Sequence, residues 1–178
     1  ILFRNPSAGE PAAQSAETLR QVAAAYPDVF CLCDGDFASG DLPRFAFPEL
    51  AAVDPEIPVK IPEIAAEHVA ACLFTSGSTG LPMPHHRTWG AMVRSARAEA
   101  ERLGLFARRH AIVGTIPAQH SYGFESTVLL ALQGNSPFWS GKPFYPQDIV
   151  AALAALPRPR MLVTTPFHLK TLLLAGVD

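Results

Sequence analysis

A run of nine residues between an apolar segment and a long amphipathic segment constrains this chain more than any other feature. The run Phe74–Pro82 reads F-T-S-G-S-T-G-L-P, with four hydroxyl side chains and two glycines in six consecutive positions. Before its polar part, Val69–Phe74 is continuously apolar, which predicts a strand buried on both faces. After it, residues 86–103 repeat apolar side chains at three- and four-residue steps, which predicts a helix. The run is therefore predicted to be a loop between a buried strand and a helix.

The composition of this loop suits a ligand with many charged oxygens. Glycine has no Cβ, so the backbone can approach a phosphate closely, and each hydroxyl bond to a charged oxygen is worth roughly 1.5–3 kcal/mol. A flexible linker without a ligand is the alternative for a Ser/Thr/Gly-rich segment. The residues predicted to bind phosphate are Thr75, Ser76, Gly77, Ser78, Thr79 and Gly80.

Two motifs resemble those of one enzyme family. The loop lacks the Lys-Ser or Lys-Thr of the Walker pattern. Its T-S-G-S-T-G-x-P run instead resembles the phosphate-binding signature of the adenylate-forming enzymes, which include acyl- and aryl-CoA synthetases, luciferases and peptide-synthetase adenylation domains. Pro117, His120 and Gly123 also fit the P-x-x-H-x-x-G segment that this family carries at about this distance after the loop. The resemblance implies ATP-dependent conversion of a carboxylic acid to an acyl-adenylate, followed by transfer to a thiol.

The same resemblance implies roles for residues of the second motif. His120 is expected to touch the reacting carboxylate or gate its site, and a structural histidine at a strand end is the alternative. Tyr122, Gly123 and Phe124 are weaker candidates for the substrate pocket. The implied cofactors are ATP, Mg²⁺ and the thiol of CoA or of the phosphopantetheine on an acyl carrier protein.

One departure from the family pattern concerns charge near the phosphates. Many members place Lys and then Gly after T-G-x-P, whereas this chain has Met83 and Pro84. The positive charge could come from His85, His86 or Arg87, or these residues could simply be solvated. The segments around Arg87 and His120 also resemble a narrower branch, the ligases that load hydroxybenzoate-like or other aryl acids for aryl-polyene and xanthomonadin-type pigments.

The remaining sequence alternates predicted strands and helices, which indicates an α/β fold with a mainly parallel sheet flanked by helices. Ligands bind such sheets at the carboxyl ends of strands, which places the loop and the His120 segment at one rim. Phe138 and Trp139 could line an acid pocket there, or belong to the core. A leading helix, strand and Pro-rich connector over 1–62 precede the nucleotide-binding part over 63–178, and both are expected to form one structural unit.

Length and composition predict an incomplete unit. The chain has 178 residues, and the family's later motifs, which bind ribose and supply a catalytic lysine, do not occur in it. Charged residues are 17% and hydrophobic residues 49%, which predicts an exposed apolar patch that packs against the remainder of its own chain. The chain is therefore expected to be an N-terminal subdomain, inactive by itself.

The charge, hydropathy and cysteine content argue against several classes of partner and site. A net charge of −2 argues against nucleic acid, and no apolar run approaches the length of a membrane span, so a cytoplasmic protein is expected. Cys31, Cys33 and Cys72 are predicted to be buried and reduced, and Asp34 and Asp36 to form a turn rather than a metal site. Two other functions stay open, a non-catalytic nucleotide-binding module and a scaffold that docks a carrier protein.

Overall fold

The computed structural model describes residues 12–33, 40–47, 60–75, 83–118 and 120–176. The chain forms two compact units, and the division between them lies between Pro62 and Glu63. The expected turn at Asp34 and Asp36 lies outside the described residues.

The first unit contains one helix and a pair of short strands. Helix α1 spans Ala12–Ala25 and buries Leu19 and Val22; it begins four residues before the helix that the sequence predicts over Ala16–Ala25. Strands β1 (Cys31–Cys33) and β2 (Arg44–Ala46) pair in parallel. Strand β2 lies in the segment predicted to be a connector, and all three of its residues are exposed, as expected of a short edge strand.

The cysteines of β1 confirm part of the prediction. Cys31 and Cys33 point to the same side of β1 and are buried as free thiols. Burial raises the pKa of the Cys31 thiol, and the neighbouring Cys33 raises it further. Cys72 is only partly buried, so the prediction of burial is wrong for this residue. It lies in a strand of the second unit that, among the residues the structure describes, pairs with one neighbouring strand.

The second unit alternates strands and helices. Its strands are β3 (Val69–Thr75), β4 (Met83–Thr88), β5 (Ala111–Gly114) and β6 (Arg160–Val163). Its helices are α2 (Trp89–Arg102), α3 (Ser121–Gly123), a π-helical segment (Phe124–Leu129), α4 (Leu130–Gln133), α5 (Pro146–Ala154) and α6 (Pro166–Leu174).

The parallel strand pairing of the second unit centres on β5, in a two-stranded sheet separate from β3 and β4. Strand β6 pairs with it in parallel, from Ala111 opposite Arg160 to Gly114 opposite Val163. On its other side, Ile112 forms a parallel bridge with Phe138. Ala111, Ile112 and Val113 are all buried, since neighbours cover both edges and both faces of the strand. The α/β class with parallel strands is confirmed.

The main core lies where the helices cover β5. Its buried residues come from α2, β5, β6 and α4, with Leu105 from the turn after α2. The cluster contains Ala100, Leu105, Ile112, Leu130, Ala131 and Val163. A second cluster joins Met92 and Ala96 of α2 to Leu129, with Trp89 and Phe124 packed against it. Helix α2 therefore presents a continuous apolar face, as its sequence periodicity predicts.

Two predictions around the loop are wrong. The helix begins at Trp89 instead of His86, because Met83–Thr88 forms β4 and pairs antiparallel with β3. Strand β3 is also not buried on both faces, since Val69 is 50% exposed and Ala71, which packs against the second cluster, is only partly buried. Helix α2 contacts both strands of this hairpin, and Ala71, Cys72 and Leu73 of β3 are partly buried.

Helix α6 carries the expected exposed apolar surface. Phe167, Leu173 and Leu174 are 69–78% exposed, and no residue of this helix is buried. No helix in the described part of the chain is both long and apolar enough to cross a membrane.

Candidate functional site

The predicted phosphate loop closes the β3–β4 hairpin. Thr75, the last residue of β3, pairs with Met83, the first residue of β4, so both ends of the loop are held by the strand ladder. Ser76, Gly77, Ser78, Thr79 and Gly80 lie outside the described residues, and of Thr75 the structure describes only the backbone. A strand precedes the loop, as predicted, although it is not buried on both faces, and the element after the loop is a strand that leads into α2.

The segment after the loop is tied to the second motif by an ion pair. Nη2 of Arg87, in β4, lies 3.1 Å from Oε2 of Glu125, in the π-helical segment. The next residue, Ser126, donates a hydrogen bond of 3.3 Å to Oε2 of Glu99 in α2. Two consecutive residues of the π-helical segment thus bond to β4 and to α2, respectively. Arg87, one candidate for the charge missing near the phosphates, already has a carboxylate partner.

Because both side chains of this pair are partly exposed, we expect it to add little stability. A double-mutant cycle of Arg87→Met and Glu125→Gln is expected to give a coupling free energy of about 1 kcal/mol or less in urea denaturation. A coupling above about 2 kcal/mol would show a desolvated pair instead. A KM for ATP that rises in Arg87→Met but not in Glu125→Gln would show that the guanidinium also reaches the phosphates.

His120 stands at the turn between β5 and the helical stretch. Its backbone N–H donates to the carbonyl of Pro117 (3.0 Å), and its own carbonyl accepts from the N–H of Phe124 (2.9 Å). The residue is exposed, and its ring has no hydrogen-bond partner within the described ranges. The backbone of this histidine is therefore fixed while its imidazole is free to meet a ligand.

The three weaker pocket candidates have different surroundings. Gly123 is buried, and a Cβ there would lie 2.6 Å from the carbonyl oxygen of Ile116 and closer still to that of Pro117. Tyr122 is 47% exposed, and its hydroxyl donates to the carbonyl of Thr164 at 3.4 Å. Phe124 packs against the second core cluster. Tyr122 is thus available to a ligand, Gly123 allows the tight turn, and Phe124 serves the core.

A cavity of about 90 Å³ lies next to this segment. Its lining comes from the end of β5 and the following turn, from the π-helical segment, and from the chain after the Phe138 bridge. The lining residues include Thr115, Pro117, Gly123, Thr127, Phe138, Trp139 and Lys142. Phe138 and Trp139 line this cavity, and the hypothesis that they line an acid pocket stays a prediction. Within the described part of the chain, the buried Oγ1 of Thr127 has no hydrogen-bond partner.

A polar cluster that the sequence motifs did not reveal lies at the same rim. Oγ1 of Thr115 lies 2.8 Å from Oγ1 of Thr164 and 2.9 Å from Nδ1 of His168. Thr115 follows β5 directly and Thr164 follows β6 directly, so parallel pairing brings them side by side. The rule that ligands bind at the carboxyl ends of strands could have identified both threonines. His168 lies in the first turn of α6 and not at the end of a strand, so this rule could not have identified it.

Similarity to known proteins identifies the family to which this chain belongs. The chain belongs to the AMP-binding enzyme family, whose model matches residues 8–177. It is 42% identical over 67 residues to a 4-coumarate–CoA ligase of Halorhodospira halophila, which covers 37% of this chain and 16% of that protein. It is 39% identical over 66 residues to a 4-coumarate–CoA ligase of Rhodobacter capsulatus, which covers 36% and 17%, respectively.

A solved structure is similar over more of the chain. The apo structure of MbtA from Mycobacterium smegmatis matches with a TM-score of 0.52 and 26% identity, over 78% of this chain and 25% of that protein. The matches thus span about a sixth of the two ligases and a quarter of MbtA. The predicted membership of the adenylate-forming enzymes and the mixed α/β fold are confirmed.

Proposed function

We propose that the protein carrying this chain uses ATP to convert a carboxylic acid to an acyl-adenylate, with release of pyrophosphate, and then transfers the acyl group to a thiol. The observation that carries the proposal is the AMP-binding family match over residues 8–177. That range includes both the T-S-G-S-T-G loop and the P-x-x-H-x-x-G segment. The names of the two ligases support acid activation as the reaction class.

The proposed roles follow the position of each segment. The loop Thr75–Gly80 would hold the β and γ phosphates of ATP with its hydroxyls and backbone N–H groups, while Mg²⁺ neutralises part of their charge. Fixed strand ends at Thr75 and Met83 reduce the cost of ordering such a loop around a ligand. His120, with its exposed ring, would contact the carboxylate as negative charge moves toward the adenylate.

The substrate is proposed to be an aryl or acyl acid, and the acceptor CoA or a carrier-protein thiol. The aromatic acid in the names of both related ligases favours an aryl acid, and CoA is the thiol in those names. Activation of aryl acids for aryl-polyene-type pigments is the narrower form of this proposal. Because the family's ribose-binding and catalytic-lysine motifs do not occur in these 178 residues, we infer that this chain does not catalyse the reaction alone.

Exchange of labelled pyrophosphate into ATP, measured on the complete gene product with a panel of benzoic, hydroxybenzoic and fatty acids, tests this function. We expect exchange that depends on an aryl acid. Ser78→Ala should lower it about tenfold or more, since a hydrogen bond to a charged oxygen is worth roughly 1.5–3 kcal/mol. Ser95→Ala, an exposed serine of α2, is the matched control and should leave exchange unchanged.

A nucleotide-binding module without chemistry is the second candidate. Two observations favour it: Met83 and Pro84 stand where many family members have Lys and Gly, and Arg87 is paired with Glu125. ATP binding without exchange for any acid would support this candidate and contradict the first. Binding of a carrier protein that is indifferent both to ATP and to Ser78→Ala would indicate a docking scaffold.

A further inference from the structure

The polar cluster of Thr115, Thr164 and His168 has no role in the reaction proposed above. Thr115 is buried, with 6% of its surface exposed, while Thr164 and His168 are partly exposed. The hydroxyl of Thr115 is the middle member, bonded to both of the others. One end of the cluster is therefore inside the fold, and the other end can meet a ligand.

The geometry of the cluster is held from three directions. The side chain of Thr165 accepts a hydrogen bond from the backbone N–H of His168 (3.2 Å) and caps α6. The ring of Phe144 meets the His168 ring edge to face, with 5.1 Å between centroids. The N–H of Thr115 donates to the carbonyl of Val163 (3.0 Å), which continues the ladder between β5 and β6. These contacts fix the histidine and the two threonines before any ligand arrives.

The protonation of Nδ1 of His168 sets the direction of both hydrogen bonds in the cluster. When Nδ1 of His168 accepts, Thr115 donates to it and Thr164 donates to Thr115, so Thr164 has only lone pairs left. When Nδ1 carries a proton, both bonds reverse, and the hydroxyl proton of Thr164 is left for another acceptor. His168 thus determines whether Thr164 accepts or donates, and a chain of such bonds strengthens each member.

A hydroxyl group is the ligand chemistry that suits both states, because it can donate to Thr164 or accept from it. A carboxylate suits only one state, and no charged side chain in the described part of the chain is bonded to the cluster to offset its charge. A methyl group suits neither. Aromatic surface lies beside the cluster, since Tyr122 and Phe144 are 47% and 56% exposed. These surroundings fit a hydroxyl on an aromatic ring.

We propose that Thr164, oriented through Thr115 by His168, hydrogen-bonds a ring hydroxyl of the acid substrate and so selects hydroxyaryl acids. The proposal rests on the function proposed above and adds a specificity determinant to it. His168 is a positioning residue here, since it acts through Thr115. A ligand that covers Thr164 without pairing its hydroxyl leaves that group desolvated and unbonded, and hydrogen-bonding sites discriminate most strongly in this way.

The test compares matched ligands by calorimetry on the complete gene product. The pairs are meta- and para-hydroxybenzoate against meta- and para-methylbenzoate, and the same acids are used in pyrophosphate exchange. We expect the unchanged protein to bind one hydroxy acid about tenfold or more tightly than its methyl partner. Thr164→Val should abolish most of this preference and Thr164→Ser should keep it. His168→Leu should weaken it, and His168→Asn should retain part of it because a side-chain amide can still donate to Thr115 through its nitrogen or accept from it through its oxygen.

Thr171→Val is the matched control, because the hydroxyl of this threonine of α6 donates to the Phe167 carbonyl (2.9 Å) and lies outside the cluster. The Thr171→Val variant should prefer the hydroxy acid over the methyl acid by the same factor as the unchanged protein. Equal binding of hydroxy and methyl acids, or a preference that survives Thr164→Val, would overturn the inference even if exchange is normal. A preference that depends on Thr164 without any exchange would instead overturn the proposed reaction and leave the site standing.

Discussion

Gly123→Ala is expected to destabilise the protein by about 3 kcal/mol or more, above the usual range for one added methyl group. The Cβ would lie 2.6 Å from the carbonyl oxygen of Ile116 and closer still to that of Pro117. Both obstacles are backbone atoms, so no side chain can rotate away. Relief requires the turn from Pro117 to His120 to open, which would also displace His120.

Urea denaturation followed by circular dichroism measures this loss, with Ser121→Ala as the control. Ser121 is the exposed neighbour in the same short helix, and its loss should change the free energy of unfolding by no more than about 0.5 kcal/mol. A cost below about 1 kcal/mol for Gly123→Ala would show that the turn yields easily and that the close approach is not a constraint.

Leu130→Ala is expected to cost about 2–5 kcal/mol, the range for removing a leucine side chain from a packed core. Leu130 is completely buried in the cluster that joins α2, β5, β6 and α4. Deletion of its side chain leaves a cavity against Ile112 and Leu105, and the parallel strands limit how far these neighbours can move to fill it.

The same helix offers a matched control in Leu132. This leucine is 64% exposed, so Leu132→Ala should change the free energy of unfolding by no more than about 0.5 kcal/mol. Equal effects of the two substitutions in urea denaturation would contradict the core described here. A cost for Leu130→Ala near the lower limit would show that the cluster can collapse around the lost side chain.

The regular elements of the second unit could be predicted because local signals and tertiary packing agree there. Pro166 starts α6, and the mainly apolar run Ile112–Pro117, which predicts a buried strand, contains most of β5. Strand β4 could not be predicted in the same way. Its residues Pro84, His85 and His86 are poor strand formers, and only the ladder with β3 makes them extended.

The residues of the candidate site also fall into two groups, those that sequence motifs identified and those that only the tertiary structure brings together. Motif resemblance identified the loop and His120 because their residue types are constrained by chemistry at fixed spacing. Thr115, Thr164 and His168 are 53 residues apart at their extremes, and no motif connects them. Their meeting depends on the parallel register of β5 and β6 and on the cap that sets the start of α6. Sequence periodicity contains neither of these facts.

The π-helical segment has a consequence for how this enzyme family member could tolerate changes in length. The N–H of Leu130 donates to the carbonyl of Glu125, five residues back, so this turn holds one residue more than an α-helical turn. An insertion elsewhere in a helix rotates everything beyond it by about 100°, since an α-helix has 3.6 residues per turn. Within Phe124–Leu129, loss of one residue would instead restore a regular helix and keep Tyr122 and Leu130 on their present faces. This stretch is therefore where a homologous chain could be one residue shorter without moving either the rim or the core.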